Sequence, residues 1–323
     1  MKKTALVIAL LIATLLVLLA LGICLGSVKI SFADILNALF DPCGSNSDTV
    51  VYIIRNLRLP RVLCALLAGS ALALGGVVFQ SVFHSPMADS YILGVSSGAS
   101  CLIGFNTLLG LGLGNIPSAL LGSIGATSLL FATNKKSHQR LLLSGIALNF
   151  LLSALTTLTI YLGKRQMDSV LYWTMGSLSG SSWSEVLILL VTSVLAFVYL
   201  LSQATALDLL LLDDSTAVSS GLNIRKKRLI LLFWATVLTA LVVSYCGIIG
   251  FVGLMAPHFA RLIVGPKHKR LIPVATLLGA VILLLADILA RFIIAPSELP
   301  IGIITSILGA PVFLVLVRRR HVY

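Results

Sequence analysis

Apolar residues in this chain fall in long runs separated by short polar stretches, a pattern unlike the alternation of a strand or the single stripe of a soluble amphipathic helix. Runs near 4–23, 62–83, 92–113, 116–133, 141–162, 186–203, 228–248, 250–265, 271–294 and 300–317 approach the roughly 20 residues that cross a hydrocarbon core. The pattern predicts an all-α membrane protein of ten transmembrane helices, forming a single membrane domain over residues 1–323. The eighth run is the least regular. Gly250, Gly253 and Pro257 interrupt it, and a re-entrant segment there leaves nine crossings.

Composition agrees: of 323 residues 58% are hydrophobic and 11% charged, with a mean hydropathy of +1.07, outside the range of soluble domains. The charges choose between nine and ten crossings. With ten and an inside N-terminus, 16 of the 23 basic residues lie on the cytoplasmic side, including Arg225 to Arg228, Lys267 to Arg270 and Arg318 to Arg320. Nine crossings separate these clusters. Both termini are therefore expected in the cytoplasm, with outer loops at about 24–60 and 163–185 and an inner loop at about 204–227. The net charge of +12 is thus mostly topological, and charges scattered over short loops form no nucleic-acid face. The first apolar run is too long for a signal-peptide core and reads as the first span. Five scattered cysteines show no ligand spacing and no obvious pair, so they read as packing residues.

The stretch from Arg58 to Ala99 stands out. The basic knot Arg58-Leu59-Pro60-Arg61 opens an apolar run that ends at Ser85-Pro86-Met87-Ala88-Asp89 and Gly94-Val95-Ser96-Ser97-Gly98-Ala99. A membrane helix ends in polar backbone only where protein or water receives the freed amides, so the break predicts a lined cavity. Charge counting puts the arginines outside and the break inside. Gly76 to Pro86 and Gly247 to Pro257 share one spacing in runs of opposite direction, the pattern of an inverted internal repeat. Tyr172 and Trp173 suit an interfacial helix. In the inner loop, Asp213, Asp214 and Ser215 offer N-cap chemistry for a short helix that Gly221 ends, so 207–224 reads as a helical elbow.

Seven stretches, in order, resemble the FecCD/BtuC-like permease subunits of type II ABC importers, which take up iron-siderophores, haem and vitamin B12. They are Arg58-Leu-Pro-Arg61; Ser85-Pro-Met-Ala-Asp89 with Leu93-Gly-Val-Ser-Ser-Gly98; Leu142-Leu-Ser-Gly145; Tyr172-Trp-Thr-Met-Gly-Ser177; Gly247-Ile-Ile-Gly-Phe-Val-Gly253 with Pro257-His-Phe-Ala-Arg261; Ala286-Asp-Ile-Leu-Ala-Arg291; and Glu298-Leu-Pro-Ile-Gly302 with Gly309-Ala-Pro311. The resemblance implies a homodimer or close heterodimer of permease subunits in the cell membrane, two cytoplasmic ATPase subunits and an extracytoplasmic substrate-binding protein. It implies that Arg58, Arg61 and Arg291 dock the binding protein. It also implies a cytoplasmic gate of Ser85, Pro86, Met87, Ser137, His138 and Gln139, and an ATPase coupling region at Ser219, Ser220, Gly221 and Leu222. The chain departs from the commoner Asn-Pro-Leu at Ser85-Pro86-Met87 and carries Asp213 where relatives often have Gly.

Spacing gives Arg291 a second candidate partner, because Asp287 precedes it by four residues on one helix face. Asp287 reads as the only carboxylate deep in a span. There is no phosphate-binding Gly-x-x-x-x-Gly-Lys-Ser/Thr loop, so energy must come from a partner. The chain itself is expected to be no enzyme and to hold no cofactor, with ATP and Mg used by the partner ATPase. His258 has no second ligand at metal spacing. The expected cargo is an iron(III)-siderophore or related metal chelate, with cobalamin, haem or an oxyanion as alternatives within the family. An ion-coupled secondary transporter is the rival class; it calls for more buried ionisable residues than this sequence has.

Overall fold

The computed structural model describes residues 2–26, 28, 30–40, 48–133, 138–163, 167–211, 224–295 and 297–318. Most of these are helical, with no strand among the described residues. The helices are α1 (Lys2–Cys24), α2 (Phe32–Phe40), α3 (Asp48–Tyr52), which continues through a π-helical turn Ile53–Arg58, α4 (Leu59–Val82), α5 (Val95–Leu109), α6 (Asn115–Thr133) and α7 (His138–Gly163). They are followed by α8 (Asp168–Thr174), α9 (Trp183–Ser202), α10 (Ala204–Leu210), α11 (Ile224–Cys246), α12 (Val252–Val264), α13 (His268–Phe292) and α14 (Ile301–Arg318).

Seven of these helices are long and apolar enough to cross a membrane: α1, α3 run on into α4, α6, α7, α9, α11 and α13. Three shorter apolar helices, Val95–Leu109, Val252–Val264 and Ile301–Val315, account for the remaining runs. Local chemistry shortens them. Gly94 (φ +86°) opens α5 and Gly110 (φ +60°) closes it in the left-handed region that glycine enters without penalty. In the eighth run, residues 247–250 are not helical, so α12 starts late, and Gly265 ends it.

Helix α4 is the axis of the bundle. Its apolar stretch is 89% buried, against 11% for α7, which therefore lies at the periphery. Small residues make that central position workable. Gly69 of α4 faces Gly279 of α13, and Gly76 faces Gly253 of α12, each so closely that a Cβ would overlap the facing carbonyl. Leu72, Leu74, Val77, Val78 and Phe79 of α4 join Leu238 and Val242 of α11 and Leu283 of α13 in one buried apolar core.

Candidate functional site

The two ends of α4 carry different chemistry. At its N-terminal end Arg58, Arg61 and Arg291 share the wall of a pocket of about 340 Å³ with Glu298 and Ser179 to Ser181. The sequence resemblance had grouped these three arginines, and the fold brings them together. Their partners are internal. Arg58 is 6% exposed and its guanidinium donates to the carbonyls of Ile23 (2.8 Å), Cys24 (3.0 Å) and Val28. Arg291, 8% exposed, donates to the carbonyls of Gly22 (2.9 Å) and Leu25 (3.2 Å). The last carbonyls of α1, which no helical amide reaches, are thus received by two cations, the favourable sign for a helix C-terminus.

Arg61 donates through Nε to Asp287 (2.9 Å) and through Nη1 to both carboxylate oxygens of Glu298 (2.9 and 2.8 Å). Arg291 Nη2 lies 2.7 Å from the other Asp287 oxygen, so the expected four-residue pair forms. What spacing did not reveal is Arg61, 226 residues away in sequence, on the same carboxylate. Asp287 is fully buried between two guanidiniums, and Glu298, with a side chain 35% exposed, is the pocket's accessible acid.

Beyond the other end of α4 the chain turns at Ser85-Pro86-Met87, where the Met87 amide donates to Ser85 Oγ (3.3 Å) and the Ala88 amide to the Ser85 carbonyl (3.2 Å). It then folds back into the bundle. A Cβ at Gly253 would meet both the Asp89 carboxylate and the carbonyl of Leu72, which puts Asp89 level with the middle of α4. Asp89, 3% exposed, is thus a second buried carboxylate beside Asp287, carried by a non-helical segment rather than by a span, and the glycine opposite is what admits it.

The returning segment opens on a cavity of about 890 Å³ lined by Asp89, Tyr91, Met175, Phe251, Ser306 and Phe313 among others, mostly apolar. Non-helical backbone frames it. Residues 175–177 are stitched between two helices: the Ser177 amide donates to the Cys246 carbonyl (2.8 Å), and the Ile301 and Gly302 amides donate to the carbonyls of Gly176 and Met175 (3.1 Å each). Phe251, at φ +68°, holds a backbone conformation that costs a non-glycine residue about 1–3 kcal/mol and turns the chain into α12 at the cavity wall.

Gln80, near the end of α4, donates to the Leu254 carbonyl (3.2 Å) and accepts from buried Arg261, tying α4 to α12. No sequence spacing signalled that contact, nor the approach of Cys64 Sγ to Cys246 Sγ at 3.8 Å, which sets side by side two cysteines with no obvious pairing in the sequence. His138 and Gln139 open α7, while Ser137 and the four coupling residues Ser219, Ser220, Gly221 and Leu222 lie outside the described residues. Among the described residues no three potential metal ligands cluster, His258 included.

A bundle of apolar helices, interrupted where it borders a cavity, is the architecture of a membrane permease. The chain belongs to the FecCD transport family, whose profile matches residues 13–319. It is 38% identical over 322 residues to the hemin transport system permease protein HmuU of Yersinia pestis, covering 95% of this chain and 93% of that one. It is 35% identical over 312 residues to the Fe(3+) dicitrate transport system permease protein FecC of Escherichia coli K12, covering 92% of each. Among solved structures, a metal-chelate type ABC transporter in an inward-facing conformation superposes with a TM-score of 0.86 at 33% identity, covering 97% of this chain and 98% of that one. The chain is therefore a permease subunit of an ABC importer of the metal-chelate, haem and vitamin B12 type, and ATP hydrolysis belongs to a separate subunit.

Proposed function

We propose that this permease carries an iron(III)-siderophore or related metal chelate inward across the cell membrane. It works as one of two permease subunits, identical or paralogous, with cytoplasmic termini, two ATPase subunits that use ATP and Mg, and an extracytoplasmic binding protein. The observation that carries the cargo reading is the cavity of about 890 Å³ framed by interrupted helices. Its volume is near the upper end of pockets for compact organic ligands, its walls are mostly apolar, and its few polar groups suit passage of a chelate rather than tight capture. A relative named for Fe(3+) dicitrate supports this cargo; relatives named for hemin (38% identical), cobalamin (39%) and molybdate (37%) keep those cargoes as alternatives.

In this reading Arg58, Arg61 and Arg291 form the docking corner for acidic side chains of the binding protein, with Arg61, its side chain 12% exposed, the least buried of the three. Ser85, Pro86, Met87, Ser137, His138 and Gln139 form the cytoplasmic gate, and Ser219 to Leu222 receive the ATPase. The test is uptake by proteoliposomes containing the complete transporter with its binding protein. ATP-dependent accumulation of a radio-iron siderophore, with none of hemin, cobalamin or molybdate, is the expected result. Accumulation of one of those three instead would replace the cargo assignment, and uptake driven by an ion gradient without ATP would overturn the mechanism.

A further inference from the structure

Three segments far apart in sequence meet at the end of α4 opposite the arginines. His268, the first residue of α13, is fully buried. Its Nε2 lies 2.7 Å from Oγ of Ser81, the penultimate residue of α4, and its Nδ1 lies 2.6 Å from Asp208 Oδ1 in α10. The same Asp208 oxygen accepts the His268 backbone amide at 3.0 Å. Ser81 Oγ also lies 2.7 Å from the Val77 carbonyl, so its one hydroxyl hydrogen serves either that carbonyl or the ring, according to the tautomer of His268. The result is a continuous chain, carboxylate to imidazole to hydroxyl, from α10 to α4.

Adhesion does not require this chain. Leu207 and Leu210 of α10 are already buried to within 1% of full exclusion, and they hold the helix against α4 and α13. An apolar residue at 268 would pack as well without the cost of burying an imidazole. What hydrogen bonds add is direction: they fix rotation and register, and the chain runs from Asp208, whose side chain is 40% exposed, to a ring and a hydroxyl that are fully buried.

Its two ends are informative. Asp208 belongs to the first turns of the 204–227 segment. Ser81 stands four residues before the Ser85-Pro86-Met87 turn, and next to Gln80, which ties α4 to the cavity-lining α12.

We propose that Ser81, His268 and Asp208 form a mechanical link through which displacement of the 204–227 segment moves the end of α4 and the turn beyond it. His268 is its central positioning residue. The proposal rests on the reading of 204–227 as the segment the ATPase grips. Rigid, directional contacts of this kind carry coupling between distant sites where each end has two arrangements.

The test uses the complete transporter in proteoliposomes with its binding protein, measuring ATP hydrolysed and cargo accumulated in one preparation. Ser81→Ala removes one hydroxyl and leaves the packing intact, so it carries the test even if His268→Ala does not assemble. Ser81→Ala and Asp208→Asn are each expected to keep hydrolysis within about twofold of the parent while ATP consumed per cargo molecule rises at least fivefold. The double variant is expected to be no worse than the poorer single one, because both cut one chain. Hydrolysis and uptake falling in parallel, or an unchanged ratio, would overturn the link. Gly221→Trp separates the two readings. If it raises the ratio and Ser81→Ala does not, the link fails while the loop assignment stands; if only Ser81→Ala raises it, the placing of the grip at Ser219 to Leu222 fails and the link stands with the grip elsewhere in 204–227.

Discussion

Asp287→Asn probes the most heavily committed carboxylate in the protein. The acid is fully buried and lies 2.9 Å from Arg61 and 2.7 Å from Arg291. An amide of the same shape leaves packing unchanged and deletes the charge, so two largely buried guanidiniums lose their shared counter-ion. Removing one member of a buried pair costs about 3–5 kcal/mol. Neither arginine is stranded completely: Arg61 keeps Glu298 at 2.8 Å, and Arg291 keeps the carbonyls of Gly22 and Leu25. The expected loss is therefore at the lower end, about 3 kcal/mol, or more than a hundredfold in the folding equilibrium. Denaturant unfolding of the purified protein in micelles measures it. A second variant checks the cause: adding Arg291→Met removes one of the orphaned cations, so the double variant should be more stable than the sum of the two single changes. A midpoint for Asp287→Asn equal to that of the parent would refute the idea that this carboxylate holds the corner together.

Three further outcomes follow from the packing. Gly69→Val should destabilise by about 1–3 kcal/mol or more, because its Cβ meets the Gly279 carbonyl, whereas Gly125→Ala, with open space around the new methyl in α6, should be neutral or stabilising by up to about 1 kcal/mol; thermal unfolding of both in micelles tests the contrast. Arg58→Met should release the end of α1 while α4 stays folded, read as a selective loss of amide protection over residues 21–28; unchanged protection there would count against the capping role. Asp208 is pushed up by burial but pulled further down by its hydrogen bonds to the His268 side chain and amide and by the nearby charge, so its folded-state value is lowered. Its stabilising contribution is then complete above the unfolded value of about 3.9 and is lost as pH falls through the lower folded one. The stability gap between the parent and Asp208→Asn should close only below about pH 4, as followed by urea midpoints.

Much of the fold was legible because membrane burial writes itself into composition: each apolar run in the sequence reappears as a helix. Helix length was less legible. Runs were counted by hydropathy, but glycines such as Gly94, Gly110 and Gly250 are apolar enough to extend a run while their backbones end or delay a helix. The arginine corner was found by motif, and the Asp287–Arg291 pair by its four-residue spacing. Its real extent was hidden, because Arg61 reaches Asp287 across 226 residues and the carbonyls of α1 carry no side-chain signature at all. Asp89 was misplaced in depth for a related reason. A polar break marks where a helix stops, but only the bare Cα of Gly253 shows that the chain then turns inward.

The clasp on α1 also orders the assembly of the protein. Its carbonyls emerge first from the ribosome, yet the guanidiniums that receive them arrive in two instalments, Arg58 soon after and Arg291 only when most of the chain has been made. A nascent chain cut short before α13 keeps the carbonyls of Gly22 and Leu25 without their guanidinium, so these contacts close only once α13 has been made.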